Sequence, residues 1–306
     1  MSKVWLITGA SRGLGRAFTE EALKAGHRVV ATARNSEQLV DVASKFGQNV
    51  RIVSLDVTKE AQAKYAVDSA IDMPYDIPNF HVEYVRDEPK GVVTGFWRGV
   101  GPNNNVFAIE SFMDELARKA GQDPVEFRRG MLGKNPRALA ALNLAAEKSG
   151  WGEALPARVG RGVCLQPSFA SFIATVVEAE VNEIGEVHLR RITSAVDTGI
   201  AVNPDTIKAQ LEGGLIFGLT AALYGEITLD KGRVQQSNFN DYRMLRIDQT
   251  PRIDIHVIKS GEPPGGIGET GATAGPPALR NAIYAATGVA LRRLPIDRSL
   301  IAGKKA

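Results

Sequence analysis

Three glycines separate the first apolar strand of this chain from its first helix, and they restrict the fold more than any other feature. Val4-Trp5-Leu6-Ile7-Thr8 reads as a short buried parallel strand. Thr8-Gly9-Ala10-Ser11-Arg12-Gly13-Leu14-Gly15 follows, and a helical segment runs on to about Ala25. Gly9 permits a sharp turn. Gly13 and Gly15 let a pyrophosphate approach the helix N-terminus, where unpaired N–H groups and the helix dipole favour anions. A second strand, Arg28 to Ala33, ends at Arg34. A helix around Glu37 to Phe46 leads to a third strand, Val50 to Leu55, which ends at Asp56-Val57. Strand–helix–strand–helix–strand is the first half of a doubly wound sheet, an α/β half-Rossmann segment.

With its glycine pattern in this context, the segment resembles the short-chain dehydrogenase/reductase family, whose motif is Thr-Gly-x-x-x-Gly-x-Gly. The resemblance covers residues 1 to about 70. It implies that Gly9, Gly13 and Gly15 line the phosphates of a dinucleotide and that Asp56 and Val57 sit at the adenine. It also implies that Arg12 and Arg34 pair with a 2′-phosphate, which favours NADP over NAD; read alone, these arginines are ordinary surface charges. The family's Asn-Asn-Ala-Gly strand end, catalytic Ser and Tyr-x-x-x-Lys pair do not follow. None of Tyr65, Tyr75, Tyr84, Tyr224, Tyr242 and Tyr284 has Lys four positions later. The hydride chemistry of that family is therefore not assigned to this chain.

The pattern changes near residue 70. Ala66-Val67-Asp68-Ser69-Ala70 starts a third helix, but Ile71-Asp72-Met73-Pro74-Tyr75-Asp76-Ile77-Pro78-Asn79 breaks its periodicity with two prolines and two aspartates. The expected boundary is 70/71, giving a partial dinucleotide-binding segment, 1–70, and a second domain, 71–306.

That second domain is organised around Gly261-Glu262-Pro263-Pro264-Gly265-Gly266-Ile267-Gly268-Glu269-Thr270-Gly271, which follows an apolar strand, Ile253 to Ile258. A helix is expected over Pro277 to Thr287. An acid on a Gly-rich loop between strand and helix can act as a general base if its proton partner lies within hydrogen-bond reach; otherwise the stretch is a solvated turn. Gly95, Gly99 and Gly101 flank Trp97-Arg98, a backbone that can lie flat against a planar ligand beside a cation suited to an oxyanion. The spacing predicts a helix over Val106 to Lys119 with Phe107, Phe112, Met113 and Leu116 in the core. Asp123-Pro124 reads as an N-cap with proline in the first turn, and another helix is expected over Pro136 to Lys148.

Strands are expected at Phe172 to Val181, Val187 to Val196, Tyr224 to Leu229 and Ile253 to Ile258. A helix over Asp205 to Ala222 carries Gly213, Gly214 and Gly218, which implies close packing against a neighbour or a cofactor. Asp197 reads either as an acid of a ligand shell or as a strand-end turn former. The whole is mixed α+β.

From Val93-Thr94-Gly95-Phe96-Trp97-Arg98-Gly99-Val100-Gly101-Pro102 onward the chain resembles the molybdopterin-binding large subunit of the xanthine dehydrogenase/aldehyde oxidase family, of the isoquinoline 1-oxidoreductase beta-subunit type. The resemblance runs through Asp123-Pro124-Val125-Glu126-Phe127-Arg128-Arg129, Ala195-Val196-Asp197-Thr198-Gly199, Gln210-Leu211-Glu212-Gly213-Gly214 and Gly265-Gly266-Ile267-Gly268-Glu269. In that family a Glu on this loop takes the proton of a molybdenum-bound hydroxide, whose oxygen attacks an electron-poor carbon while hydride passes to a sulfido ligand. The resemblance implies that Glu269 is that base. It places Arg98, Gly99 and Gly101 near the pterin and the metal, with Gln210, Gly213 and Gly214 on the pterin side. Small-molecule substrates, aldehydes or N-heterocycles, are implied, with Val100 and the loops around Gln166 to Ser171 shaping either pocket. The family's Gly-Gln-Gly contact and first cofactor lobe do not precede residue 71, so the cofactor site is expected to be incomplete in a single chain.

Composition narrows the functional classes. A hydrophobic fraction of 44%, a charged fraction of 23% and a net charge of +3 without a basic run give no argument for nucleic acid. Cys164 is the only cysteine and the four histidines lack paired spacing, so neither a disulfide, an iron–sulfur cluster nor a zinc site is expected. Electrons would leave through a separate [2Fe-2S] subunit. No apolar run reaches the ~20 residues of a membrane span, and no secretory pattern opens the chain, so the cytoplasm is the expected location. Three readings remain: an oxidoreductase of the molybdenum hydroxylase type, an NADP-binding short-chain reductase fragment, and an inactive fusion of two gene fragments.

Overall fold

The computed structural model describes residues 4–7, 10–11, 13–33, 36–54, 73–80, 91 and 95–304. The chain forms two compact units, Met1–Asp68 and Ser69–Ala306.

In the first unit, β1 (Val4–Ile7), β2 (Arg28–Ala33) and β3 (Val50–Ser54) form a parallel sheet in the order β1-β2-β3. Helix α1 (Gly13–Lys24) and helix α2 (Val40–Phe46) connect them, α2 preceded by a 3-10 turn, Ser36–Leu39. Val29, Ala31, Leu23, Leu39 and Val42 form a small core. This is the crossover topology expected of a strand–helix–strand–helix–strand sequence.

The second unit is built on an antiparallel ladder with one parallel addition. Strands β4 (Val159–Ser168), β5 (Ser171–Val181), β6 (Val187–Asp197) and β9 (Arg252–Val257) lie in that order, β9 running parallel to β6. A two-residue hairpin, β7 (Leu229–Asp230) with β8 (Arg233–Val234), stands apart. One core joins the sheet to helix α6 (Pro204–Tyr224) and helix α7 (Thr270–Thr287) through Ile173, Val177, Ile192, Leu211, Leu215 and Leu279. A second joins it to helix α3 (Pro102–Lys119), helix α4 (Pro124–Arg129) and helix α5 (Pro136–Ser149), with Val125, Leu132, Leu142 and Leu165 buried.

Capping fixes the helix starts. Asp123 accepts from the N–H groups of Val125 and Glu126, and Asn203 accepts from those of Asp205 and Thr206. A buried polar cluster locks α3, α4 and β4 together. Glu110 accepts hydrogen bonds from Tyr75 Oη (2.7 Å), Arg128 Nε (3.1 Å) and Leu165 N (2.8 Å). Asn281 of α7 donates to the carbonyls of Glu110 and Val163. Buried charge persists because each group finds partners of opposite sign or donors.

Four expectations need correction. The stretch Tyr224 to Leu229 is not a strand: Tyr224 ends α6, and only Leu229–Asp230 pairs. Phe112 is 55% exposed and Phe107 is half-buried outside both cores, so of the four expected residues Met113 and Leu116 join the core. Strand β4 was not expected at all. Helix α7 begins at Thr270 rather than Pro277 and carries Pro276 and Pro277 inside it. A proline within a helix leaves the carbonyl four residues back without its donor. For Pro276 that carbonyl belongs to Ala272, which lies against Gly218 of α6.

Candidate functional site

The loop between β9 and α7 is tied down at both ends. Gly265 N donates to Thr198 O (2.9 Å) and Gly266 N to Phe169 O (2.7 Å). Ser171 Oγ lies 2.8 Å from Gly266 O and 2.9 Å from Thr198 Oγ1. Beyond the loop, buried Gln166 on β4 donates to Thr270 O at 2.9 Å, which fixes the first turn of α7. Glu269 stands between these anchors as the residue preceding α7. Its side chain makes no capping hydrogen bond. The carboxylate is half-buried and has no hydrogen-bond or ion-pair partner among the described residues. Both oxygens are therefore available to an external proton.

Arg98 crosses to this loop from the segment before α3. Its Nε and Nη2 donate to Gly268 O at 2.9 and 2.6 Å, and Nη2 donates to Gln210 Oε1 at 3.1 Å. The guanidinium thus grips the carbonyl adjoining Glu269 and ties it to α6. Trp97 stacks on Phe217 with ring centroids 4.7 Å apart, and Arg98 lies over the same ring at 5.9 Å. Gln210, Gly213 and Phe217 recur at helical spacing and share one face of α6. The loop carrying Trp97 and Arg98 meets that face at both Gln210 and Phe217.

Close backbone approach explains the glycines selectively. Gly99 has φ +104°, and a methyl there would meet Asn103 and Thr273. Gly101 precedes the first turn of α3. Gly214 faces α7, where an added Cβ would sit 3.1 Å from Gly271 Cα and from Ala272 N. Gly213 is exposed, and a methyl added there would have nothing within 4 Å, so the face between Gln210 and Phe217 is left bare. The structure thus brings Arg98, Gln210, Gly268 and Glu269 together, lays Gly213 on the same helix face, and uses Gly214 and Gly218 to pack α6 on α7.

In the first unit Gly13 and Gly15 lie in the first turn of α1, after β1, where the chain can present N–H groups to an anion. Gly9, Arg12, Arg34, Asp56 and Val57 lie outside the described residues.

Asp197 resolves as a strand-end residue. It accepts from Arg137 Nε (2.9 Å) and Nη2 (2.7 Å) and from Gly199 N (2.9 Å), closing a local turn. The hydrogen bonds from Arg137 hold its carboxyl below the usual range despite burial. Cys164 is buried, and desolvation followed by the Glu110 charge pushes its thiol well up, so it is no nucleophile. Sequence reasoning missed Thr270, Thr273, Ser171 and Thr198 as supports of the loop. It took Gln166 as part of a pocket loop, whereas Gln166 sits within β4. Its signal was a lone amide in an otherwise apolar run, Val163 to Leu165, ahead of Pro167.

Comparison with known proteins agrees with a two-part chain. Residues 3–77 match the family model described as short chain dehydrogenase, and residues 108–251 match the molybdopterin cofactor-binding domain. The chain therefore joins segments similar to two oxidoreductase families, and the fold is a Rossmann-like segment followed by a mixed α+β molybdopterin-binding-type domain.

The chain is 35% identical over 236 residues to isoquinoline 1-oxidoreductase subunit beta of Brevundimonas diminuta, which covers 76% of this chain and 30% of that protein. It is 53% identical over 70 residues to an oxidoreductase of Botryotinia fuckeliana, which covers 22% of this chain and 26% of that protein. The aldehyde oxidoreductase of Desulfovibrio desulfuricans shares the fold with TM-score 0.60 at 14% identity, over 79% of this chain and 45% of that one. This chain thus spans a third or less of the length of the curated relatives it matches. Among the described residues no helix is long and apolar enough to cross a membrane, and no cluster of metal-ligating side chains occurs.

Proposed function

We propose that residues 71–306 form one side of a molybdopterin site and that Glu269 is the general base of a molybdenum hydroxylase-type oxidoreductase acting on an aldehyde or an N-heterocycle. One observation supports this above the others: Arg98, Gln210 and Gly268–Glu269, far apart in sequence, converge at hydrogen-bond distance and leave the Glu269 carboxylate unspent. The bare face at Gly213 fits a bulky planar group, and the Arg98 cation and the peptide groups of Gly99 and Gly101 suit its anionic substituents. The residues present fit one wall of such a site. The remaining wall would lie outside residues 71–306, and a [2Fe-2S] carrier for the electrons would come from a separate subunit.

When bound, the cofactor supplies oxygen transfer and two-electron acceptance. The chain's own part is positional and acid–base. Arg98 fixes the peptide before Glu269, the Ser171–Thr198 pair fixes the loop behind it, and Glu269 Oε1 or Oε2 takes up the proton of the nucleophile.

Elemental analysis tests the reading. The full chain is expressed with the [2Fe-2S] and first-lobe polypeptides of a bacterial relative in a molybdenum-sufficient host. Molybdenum should co-purify with the wild-type chain and fall at least tenfold in Arg98→Ala. Wild-type protein free of molybdenum overturns the proposal.

A second reading rests on the first unit. Its parallel βαβ order and the glycines at the start of α1 suit NADP, independently of the molybdopterin site. Titration of NADPH followed by nicotinamide fluorescence should saturate; a flat response leaves this unit as scaffold and favours the fusion of two incomplete gene fragments.

A further inference from the structure

Val100 holds a backbone conformation that costs a β-branched residue energy. Its φ is +54°, in the left-handed region where Cβ crowds the following carbonyl oxygen. Gly99 before it has φ +104°. These two residues turn the chain between Arg98, whose guanidinium reaches Gly268, and Pro102, which opens α3. Val100 is half-buried and packs in neither core of its unit, so apolar burial does not account for the strain. Such outliers gather where a site needs one fixed geometry.

Asn103 braces the turn. Its Nδ2 donates to Arg98 O at 2.9 Å and to Val100 O at 3.2 Å, bridging the carbonyls on either side of Gly99. Val100 N adds a bond to Trp97 O at 2.9 Å. A capping asparagine would accept from N–H groups inside the helix. Asn103 lies in the first turn of α3 and instead donates backwards, out of it. Each neutral hydrogen bond contributes an amount comparable with the cost of one left-handed residue, so losing both releases the turn. The missing Cβ of Gly99 makes room for this arrangement: it would lie 2.6 Å from Asn103 Oδ1 and overlap Thr273 of α7. Thr273 Oγ1 is itself held by Gln166 Oε1 at 2.9 Å, so α7 backs the turn from the other side.

We infer that Asn103 is a positioning residue for Glu269. It fixes the Gly99–Val100 turn, and the turn sets where the Arg98 backbone stands. Arg98 then pins Gly268 O, the carbonyl of the peptide that joins Gly268 to Glu269. The consequence for proton transfer rests on the role proposed above for Glu269; the mechanical linkage does not.

Hydrogen exchange of the full chain, free of cofactor, reads the linkage. Asn103→Ala should raise amide exchange about tenfold or more over 97–100 and 265–271, the factor expected from losing two neutral hydrogen bonds, and leave β5 unchanged. Asparagine tolerates the left-handed region, so Asn103→Ala/Val100→Asn should return both segments most of the way to wild type. In molybdenum-loaded protein the single variant should lower kcat about tenfold at unchanged KM, because position rather than binding is lost. Unchanged exchange over 265–271, a rise that extends to β5, a double variant no better than Asn103→Ala, or an unmoved kcat at equal molybdenum overturns the inference. Failure of the Glu269 reading shows separately, as a wild-type chain that takes up no molybdenum.

Discussion

Replacing Gly218 by alanine tests how α6 and α7 support the candidate base. A methyl group there overlaps the carbonyl oxygen of Ala272 and comes within 2.9 Å of its carbonyl carbon and 3.1 Å of its Cα. The obstacle is the backbone of a helix and cannot swing aside like a flexible side chain. Overpacking of this kind costs about 1–3 kcal/mol or more, and the upper end applies. The gain in helix propensity from Gly to Ala is about 1 kcal/mol, so the net loss is about 2 kcal/mol. For a unit of this size that lowers the melting temperature by about 4–8 °C. Gly213→Ala, on the same helix, is the control: its methyl meets nothing within 4 Å, so only the propensity and unfolded-state effects remain, a stabilisation of about 0.4–1 kcal/mol. Heating scans by far-ultraviolet circular dichroism compare the two. A Gly218→Ala variant that melts with or above the wild type, or a Gly213→Ala variant that falls as far, would refute the helix crossing described here.

Further predictions concern the buried charges, the thiol and the loop. Glu110→Gln removes the nearer of the two carboxylates that face buried Arg128 and leaves it Asp114 at 3.7 Å, so urea unfolding should report a loss of about 3 kcal/mol, the lower end for a broken buried pair, whereas a loss below 1 kcal/mol contradicts the burial of that pair. The carboxyl of Asp197 titrates below its ordinary value when folded. Its contribution is therefore present above the unfolded value of about 4 and is lost as pH falls through the lower folded value. The urea midpoint should drop on acidification below pH ~4, and less so in Arg137→Ala; parallel acid profiles for the two proteins contradict the pairing. Cys164 should resist a thiol reagent in the native protein at neutral pH and react fully in urea; rapid native labelling contradicts its burial. Arg98→Ala should raise amide hydrogen exchange over 265–271, with no change on β5; unchanged exchange means that Arg98 does not hold the loop.

Much of this fold was legible because periodicity and capping act locally. The span Arg28 to Ala33 matched β2, and Asp123-Pro124 and Pro136 marked real helix starts. The failures came from tertiary packing. Strand β4 was hidden by Gly160, Gly162 and Pro167, residues that argue against a strand. The glycines are there because α7 lies across them: a methyl at Gly162 would overlap the backbone of Ala278 and Ala282. Likewise Pro276 and Pro277 pointed to a helix start at Pro277, but the helix continues through them because Gly218 admits the orphaned Ala272 carbonyl. In the candidate site, Glu269, Arg98 and Gln210 could be named from motifs. Their convergence could not, since the role of Arg98 as a clamp on Gly268 depends on contacts between residues 170 positions apart.

The comparison that bears most directly on the central claim is substrate hydroxylation by Glu269→Gln and wild-type protein at equal molybdenum content. Glutamine keeps the shape of the side chain and removes its capacity to accept a proton. The rate should fall by about 10²–10⁴-fold while the molybdenum content holds. A variant within a few-fold of wild type would show that the acid beside the Arg98 clamp is not the base.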